Sequence, residues 1–308
     1  MDALEQLTVA ARANAGVITR AEALDAGVRA RDLTLLVASG AVARIARGIY
    51  LVGDPLPDPH RIASSWRAVI SFESAAAWHG VELARPLEKI HVTVARRRGR
   101  WAEAVPEVRL HRADIAPWDV QSVRGALVTS PLRTAIDIAR HAPVDDAVAV
   151  IDGFLRARKF TPTALLGAAA RAKGPGRLRI QVVAALIDPF SGSVLESLTR
   201  TLLWREGLPK PVTQLRIRDK STQWIGRVDF AWPDRRVVLE CDGYAYHSSQ
   251  QQYQRDRRRW SSLSAAGWRP GIVTWFDVTR NPNYVVRLVS DLLELGALEN
   301  TNGKRVAS

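Results

Sequence analysis

Apolar positions in the first fifty residues recur at helical spacing and then switch to alternation. Residues 2–14 make one helical stretch, and Thr19 with Glu22 forms a capping-box pattern that opens a second helix stopping at Gly27. Residues 30–39 make a third, with Leu33, Leu36 and Val37 at core spacing and Gly40 as its C-cap. Residues 42–45 and 48–52 then alternate as two strands joined by a tight turn. Three helices and a two-stranded wing predict a winged helix-turn-helix over residues 1–53. From 54 to 190 the pattern is mostly helical: a short helix over 71–79, one alternating strand over 89–95, and helices opened at Ser130-Pro131, near Val144 and at Thr161-Pro162. In the two Ser/Thr-Pro pairs the hydroxyl caps and the proline takes the first helical position. Residues 191–296 change character, running helix (194–206), strand (212–218), hairpin (228–242), basic helix (about 249–266), strand (271–276) and a last helix from Pro282 to about Leu295. The expected class is a multidomain α+β or α/β chain whose third unit has the order αβββαβα. The tail, 297–308, carries no pattern and reads as disordered.

Three carboxylates break the hairpin, whose segment reads VDFAWPDRRVVLECDGYAYH over 228–247. If Val228, Phe230 and Trp232 share a core face with Val237, Leu239 and Cys241, a two-residue turn at Pro233-Asp234 or at Asp234-Arg235 gives the required parity. The same parity puts Asp229, Glu240 and Asp242 together on the other face, with Asp229 opposite or diagonal to Glu240. Carboxylates set opposite each other repel unless a cation or base lies between them. A hard ion such as Mg²⁺, or Mn²⁺ in its place, suits such a pair, because it takes one or two carboxylates and keeps waters and a phosphate. The alternative is a solvated face on which the acids pair with Arg227, Arg236 or Arg216.

Composition favours a polyanionic partner. Forty-four basic residues against 31 acidic ones give the 308-residue chain a formal charge of +13, and the excess is spread along its length. A single cysteine, Cys241, excludes an intramolecular disulfide. The first residues lack the basic start of a secretory signal, and no apolar run is long enough for a membrane span, so the expectation is a cytoplasmic protein with DNA as partner and no membrane.

Two resemblances follow from these motifs. Asp229, then Glu240-Cys241-Asp242-Gly243, then His247, followed by QRDRRRW and GWRPGIVTWFDV, resemble the Vsr-like endonuclease domain of the PD-(D/E)xK superfamily. The resemblance covers residues 191–296 and implies a restriction-endonuclease-like fold and a Mg²⁺-dependent phosphodiester hydrolase. It also implies Asp229 and Glu240 as metal ligands, Glu196 on the preceding helix as a further acid, and His247 as proton shuttle. Asp242 stands where the superfamily has its lysine. Glu196 has a second reading, because Ser193 and Glu196 also make a capping-box pattern. On the basic helix, Arg257 or Arg259 suits a phosphate clamp. The segment GVITRAEALDAGVRARDLTLLVASGAVARIARGIYLVG resembles the N-terminal domain of AbiEi-family antitoxins, and the SAAAWHG and TSPLRTAIDIAR segments resemble the region that follows it. That resemblance implies a repressor of a type IV toxin-antitoxin system with a toxin or defence-system partner. Arg29, Arg31 and Thr34 on the third helix and Arg44 and Arg47 on the wing would then face DNA.

Overall fold

The structure, a computed structural model, describes residues 2–12, 16–46, 48–53, 68–96, 108–219, 221–243 and 250–305. It divides into two compact units, 1–138 and 139–308.

The first unit opens with helices α1 (Ala3–Ala11), α2 (Arg20–Asp25) and α3 (Ala30–Ala38) and strands β1 (Val17–Thr19), β2 (Val42–Ala46) and β3 (Ile49–Val52). Full capping boxes start α1, at Asp2 and Glu5, and α2, at Thr19 and Glu22. The three strands pair antiparallel in the order β1-β3-β2. Leu7, Ile18, Ala23, Val28, Leu33, Val42 and Tyr50 close one core beneath the three helices. The apolar positions that specify α3 are therefore the ones that fix its exposed side.

A second sheet follows, built from β4 (Val69–Ile70), β5 (Ile90–Val94), β6 (Val108–Arg112), β7 (Val120–Val123) and β8 (Ala126–Thr129), with α4 (Phe72–Trp78) between β4 and β5. Its order is β6-β5-β4-β8-β7. The first half of the region expected to be mostly helical is thus a five-stranded sheet. Its strands run two to five residues; β5 is the alternating strand expected over 89–95, the other four are too short to display a clear period, and one pair is closed by a turn without the usual Asn-Gly signal. Arg124 and Gly125 both take positive φ, 52° and 80°, between the paired residues Val123 and Ala126. A two-residue hairpin turn of that kind needs left-handed backbone at both positions.

Helix α5 (Pro131–His141) spans the division between the units. The second unit continues with α6 (Val144–Arg156), α7 (Pro162–Arg171), α8 (Arg177–Leu186) and α9 (Val194–Arg205). It then forms β9 (Val212–Arg218), β10 (Trp224–Trp232), β11 (Val237–Asp242), α10 (Gln250–Ala265), β12 (Arg269–Thr274), α11 (Trp275–Arg280) and α12 (Pro282–Arg305). The sheet order is β12-β11-β10-β9, with β9, β10 and β11 antiparallel and β12 parallel to β11.

Three expectations change here. Trp232 pairs with Val237, so the hairpin closes over four residues instead of two. Pro233 has no N–H for the ladder, and Arg236, at φ 55°, turns the chain back. The short helix α11 was not foreseen. The last helix runs to Arg305, past both Leu295 and the expected start of a disordered tail. No helix among the described residues is long and apolar enough to cross a membrane.

Candidate functional site

Two sets of side chains carry the sequence-derived expectations. On the first turn of α3, Arg29 and Arg31 are 67% and 71% exposed and flank Asp32, with Arg29 Nε 2.7 Å and Arg31 Nε 3.5 Å from its carboxylate. Thr34 is exposed on the same helix and donates to the Ala30 carbonyl at 3.0 Å. Leu33, 2% exposed, anchors the opposite side. Arg44 is exposed on β2; Arg47 lies outside the described residues. Asp32, absent from the sequence reading, accepts a charge-assisted hydrogen bond from Arg29 and lies within ion-pair distance of Arg31.

The second set lies where α9 meets the β9–β10–β11 sheet. The helix is fixed from behind by a buried ion pair, Arg200 to Asp152 at 2.5 Å, with Ser197 Oγ donating to the same carboxylate at 2.7 Å. This presents Glu196, 7% exposed, to the sheet. The pairing Phe230–Leu239, continued by one residue, sets Asp229 opposite Glu240. Across the other ladder, the pairs Val228–Leu215 and Phe230–Thr213 bracket Asp229 against Gln214. Ala231 and Val238 share the parity of the acids and are fully buried. The acids therefore stand at the end of a covered face, and not on a solvated one as the alternation of apolar residues suggests.

Gln214 joins two of the carboxylates. Its Nε2 donates to Glu196 Oε2 at 2.7 Å and to Asp229 Oδ1 at 3.1 Å, and its Oε1 is buried with no hydrogen-bond partner. Its backbone takes φ 55°, a conformation that costs a non-glycine residue about 1–3 kcal/mol and is concentrated at functional sites. The Cys241 backbone N–H donates to Asp229 Oδ2 at 2.9 Å. Glu196 also accepts from the Gly192 N–H at 2.8 Å and Ser193 Oγ at 3.1 Å; the helix cap itself is Ser193, whose Oγ accepts from the Glu196 N–H at 3.1 Å, so only that half of the expected capping box is seen and the Glu196 carboxylate belongs to the cluster. Glu240 accepts from Arg259 on α10 at 2.6 Å. Asp242 lies at the exposed end of β11, and Arg257 is exposed on α10. His247 lies outside the described residues.

Burial, reinforced by the charge of Asp229, raises the Glu196 carboxyl above its usual range. Burial also pushes Glu240 up to about 7 against the pull of Arg259, and Asp229 adds to the rise. The Cys241 thiol is pushed well above its ordinary value by burial and donates to Thr199 Oγ1 at 3.4 Å. It is a neutral packing group and not a thiolate.

Among the described residues no three His, Cys, Asp or Glu side chains converge as a metal cluster. The donors present are hard oxygens in small number, which suits an ion that keeps most of its waters. Turning the Gln214 amide over would bring its unpartnered oxygen toward Glu196 and Asp229. A cation between those acids would then be met by three protein oxygens.

Residues 5–53 match the family model described as "Transcriptional regulator, AbiEi antitoxin", and residues 68–188 match "AbiEi antitoxin C-terminal domain". Two curated relatives, the uncharacterized proteins MT2308 and Rv2248 of Mycobacterium tuberculosis, are each 28% identical over 270 residues, covering 86% of this chain and 97% of theirs. A crystal structure of the RV2827C protein from Mycobacterium tuberculosis is similar at 17% identity and a TM-score of 0.41, over 58% of this chain and 74% of that one. Both matched family stretches end before the carboxylate cluster begins at Glu196. The chain thus carries the N-terminal and the C-terminal AbiEi antitoxin domains, in that order, ahead of the residues that form the cluster.

Proposed function

We propose that this protein is an antitoxin-type transcriptional regulator that binds DNA through its first 53 residues, read as a winged helix-turn-helix. The observation that carries the proposal is the antitoxin regulator match over the stretch that ends in α3 and the β2–β3 hairpin. The exposed N-terminal half of α3 supplies what that role needs: two long cations and a hydroxyl on an anchored helix. In a winged helix the recognition helix enters the major groove and the wing touches the neighbouring backbone; here α3 would enter the groove and Arg44 on β2 would reach the backbone, together with Arg47, which lies outside the described residues. The partner in the cell is then a toxin or other defence-system component, and the site of action is the cytoplasm. The test is a salt titration on the protein's own promoter DNA. The double variant Arg29→Ala/Arg31→Ala should bind more weakly and lose about 1.8 from the slope of log affinity against log salt, about 0.9 per phosphate contact. An unchanged slope would remove α3 from the DNA.

A second reading is favoured by one observation: Glu196, Asp229 and Glu240 lie at one sheet end in an αβββαβ order. We read residues 191–296 as a restriction-endonuclease-like domain in which Asp229, with Glu240 or Glu196, would hold Mg²⁺ or Mn²⁺. A metal there supplies charge neutralisation and a more acidic bound water. Gln214 would orient the acids and Arg259 would offer its guanidinium to a phosphate; Asp242, at the exposed end of β11, would support the metal or the attacking water, and His247, outside the described residues, would be the proton shuttle. Plasmid cleavage in Mg²⁺ and in EDTA, with Asp229→Ala and Glu240→Ala beside the wild type, decides this reading. Cleavage lost in EDTA and in both variants supports it, and equal behaviour of all three proteins ends it.

A further inference from the structure

A groove of about 650 Å³ runs between the β9–β10 connection and helix α10, bordered by Trp224, Arg255, Arg258 and Arg259, with Asp219 at its edge. Its form comes from a break in β10. Strand alternation would place Trp224 on the same row as Gly226, Val228 and Phe230, all buried. The register instead shifts by one residue between Trp224 and Gly226. Such a bulge re-aims the side chain beside it. Ile225 is left packed on the core cluster around Leu263, while Trp224 stands 53% exposed. Leaving an indole in water forfeits apolar burial that the regular strand would have given.

The charges around this indole are unbalanced. Arg255 and Arg258 are exposed and make no ion pair among the described residues. Spaced three apart on α10, they share one helix face. Asp219 is already held by Ser221 Oγ at 2.7 Å and the Gln223 N–H at 2.8 Å. Arg259 closes the groove on the side of the carboxylates, where it bonds Glu240. Its guanidinium lies against Gly226, where an added Cβ would stand 2.5 Å from Arg259 Nε. A site with free guanidinium forks beside an exposed aromatic face fits a chain of phosphates and unstacked bases. A closed duplex keeps its base faces stacked and offers none to an indole.

We infer that this groove binds an unpaired nucleic-acid strand, with phosphates on Arg255 and Arg258 and a base stacked on Trp224. A strand lying there runs on past Arg259 toward Glu240. The inference rests on neither promoter recognition nor hydrolysis. It is tested with the full-length chain in EDTA, by fluorescence anisotropy of a labelled oligothymidylate about 12 nucleotides long, within the usual site size for single strands. Trp224→Ala should weaken binding by about 5- to 150-fold, the range of one base stack, and Trp224→Phe should recover most of it. Arg255→Ala/Arg258→Ala should lower the salt slope by about 1.4, two contacts at the single-strand value of about 0.7 each. Binding to the promoter duplex should stay at the wild-type level in all three. Wild-type affinity of Trp224→Ala for the oligonucleotide would overturn the inference, and so would an equal loss on the duplex. Displacement of the strand by polyglutamate as readily as by unlabelled oligonucleotide would also overturn it, in favour of an acidic polypeptide.

Discussion

Gln214 decides how the three carboxylates coexist. Its amide nitrogen lies between Glu196 and Asp229, and Arg259 takes Glu240, so each acid has a donor and none faces another bare. This arrangement still leaves Glu240 strained toward its neutral form, with a carboxyl at about 7 against an ordinary 4.5. The sign for stability follows from linkage: between those two values the folded chain holds a proton at Glu240 that the unfolded chain has released, so this group favours folding below about 4.5 and loses that contribution as pH rises through 7. Glu240→Gln should therefore flatten the pH dependence, gaining stability relative to the wild type between about pH 5 and about pH 8 in urea unfolding. A variant that tracks the wild type across that range would show that Glu240 is not perturbed. That Asp229 and Glu240 share a face was legible in the period-two alternation alone. Gln214 was not, because a glutamine in mid-strand reads as solvated; only the register between β9 and β10 sets it against Asp229. Asp32 was hidden for a similar reason, since an acid next to an arginine in a basic stretch looks like surface decoration.

Among the elements, those with strong periodicity or a capping signal fall where the sequence placed them. Helices α2, α5 and α7 begin at Thr19-Arg20, Ser130-Pro131 and Thr161-Pro162, where a cap or proline marks the first turn. The elements that escaped are short strands such as β4, at two residues, and the β7–β8 hairpin, whose turn uses Arg124 in left-handed conformation; in the foreseen hairpin over 228–242, Arg236 in the same conformation lengthens the turn from two residues to four. Arginine gives no turn signal, so nothing local announced either left-handed position. The junction between α1 and β1 depends on a residue type that the sequence does announce. Gly16 has φ 88°, its carbonyl accepts from Val52 N–H at 2.7 Å, and a Cβ there would stand 2.8 Å from the Val52 carbonyl oxygen. Gly16→Ala should destabilise the first unit by about 1–3 kcal/mol, seen as an earlier denaturant midpoint for that unit. An unshifted midpoint would mean that the junction is free to move.

At the scale of the molecule, the antitoxin domains account for residues 5–53 and 68–188, and the relatives' similarity over 86% of the chain extends past them into the carboxylate-bearing region. The +13 charge fits a chain that meets nucleic acid at more than one place. The overall class, a mixed α/β multidomain chain, was legible because the first fifty residues and the stretch from 191 onward each announce their own period. The five-stranded sheet was not, since most of its strands are short and its two halves are joined only through the β4–β8 pairing, Ile70 with Val128, distant in sequence. The central claim, that the first 53 residues read DNA, is tested most directly by competing the protein's own promoter duplex against a shuffled duplex of equal length and composition at physiological salt. A regulator of this kind should prefer the promoter by about 10³-fold or more. Equal affinity for the two duplexes would contradict it.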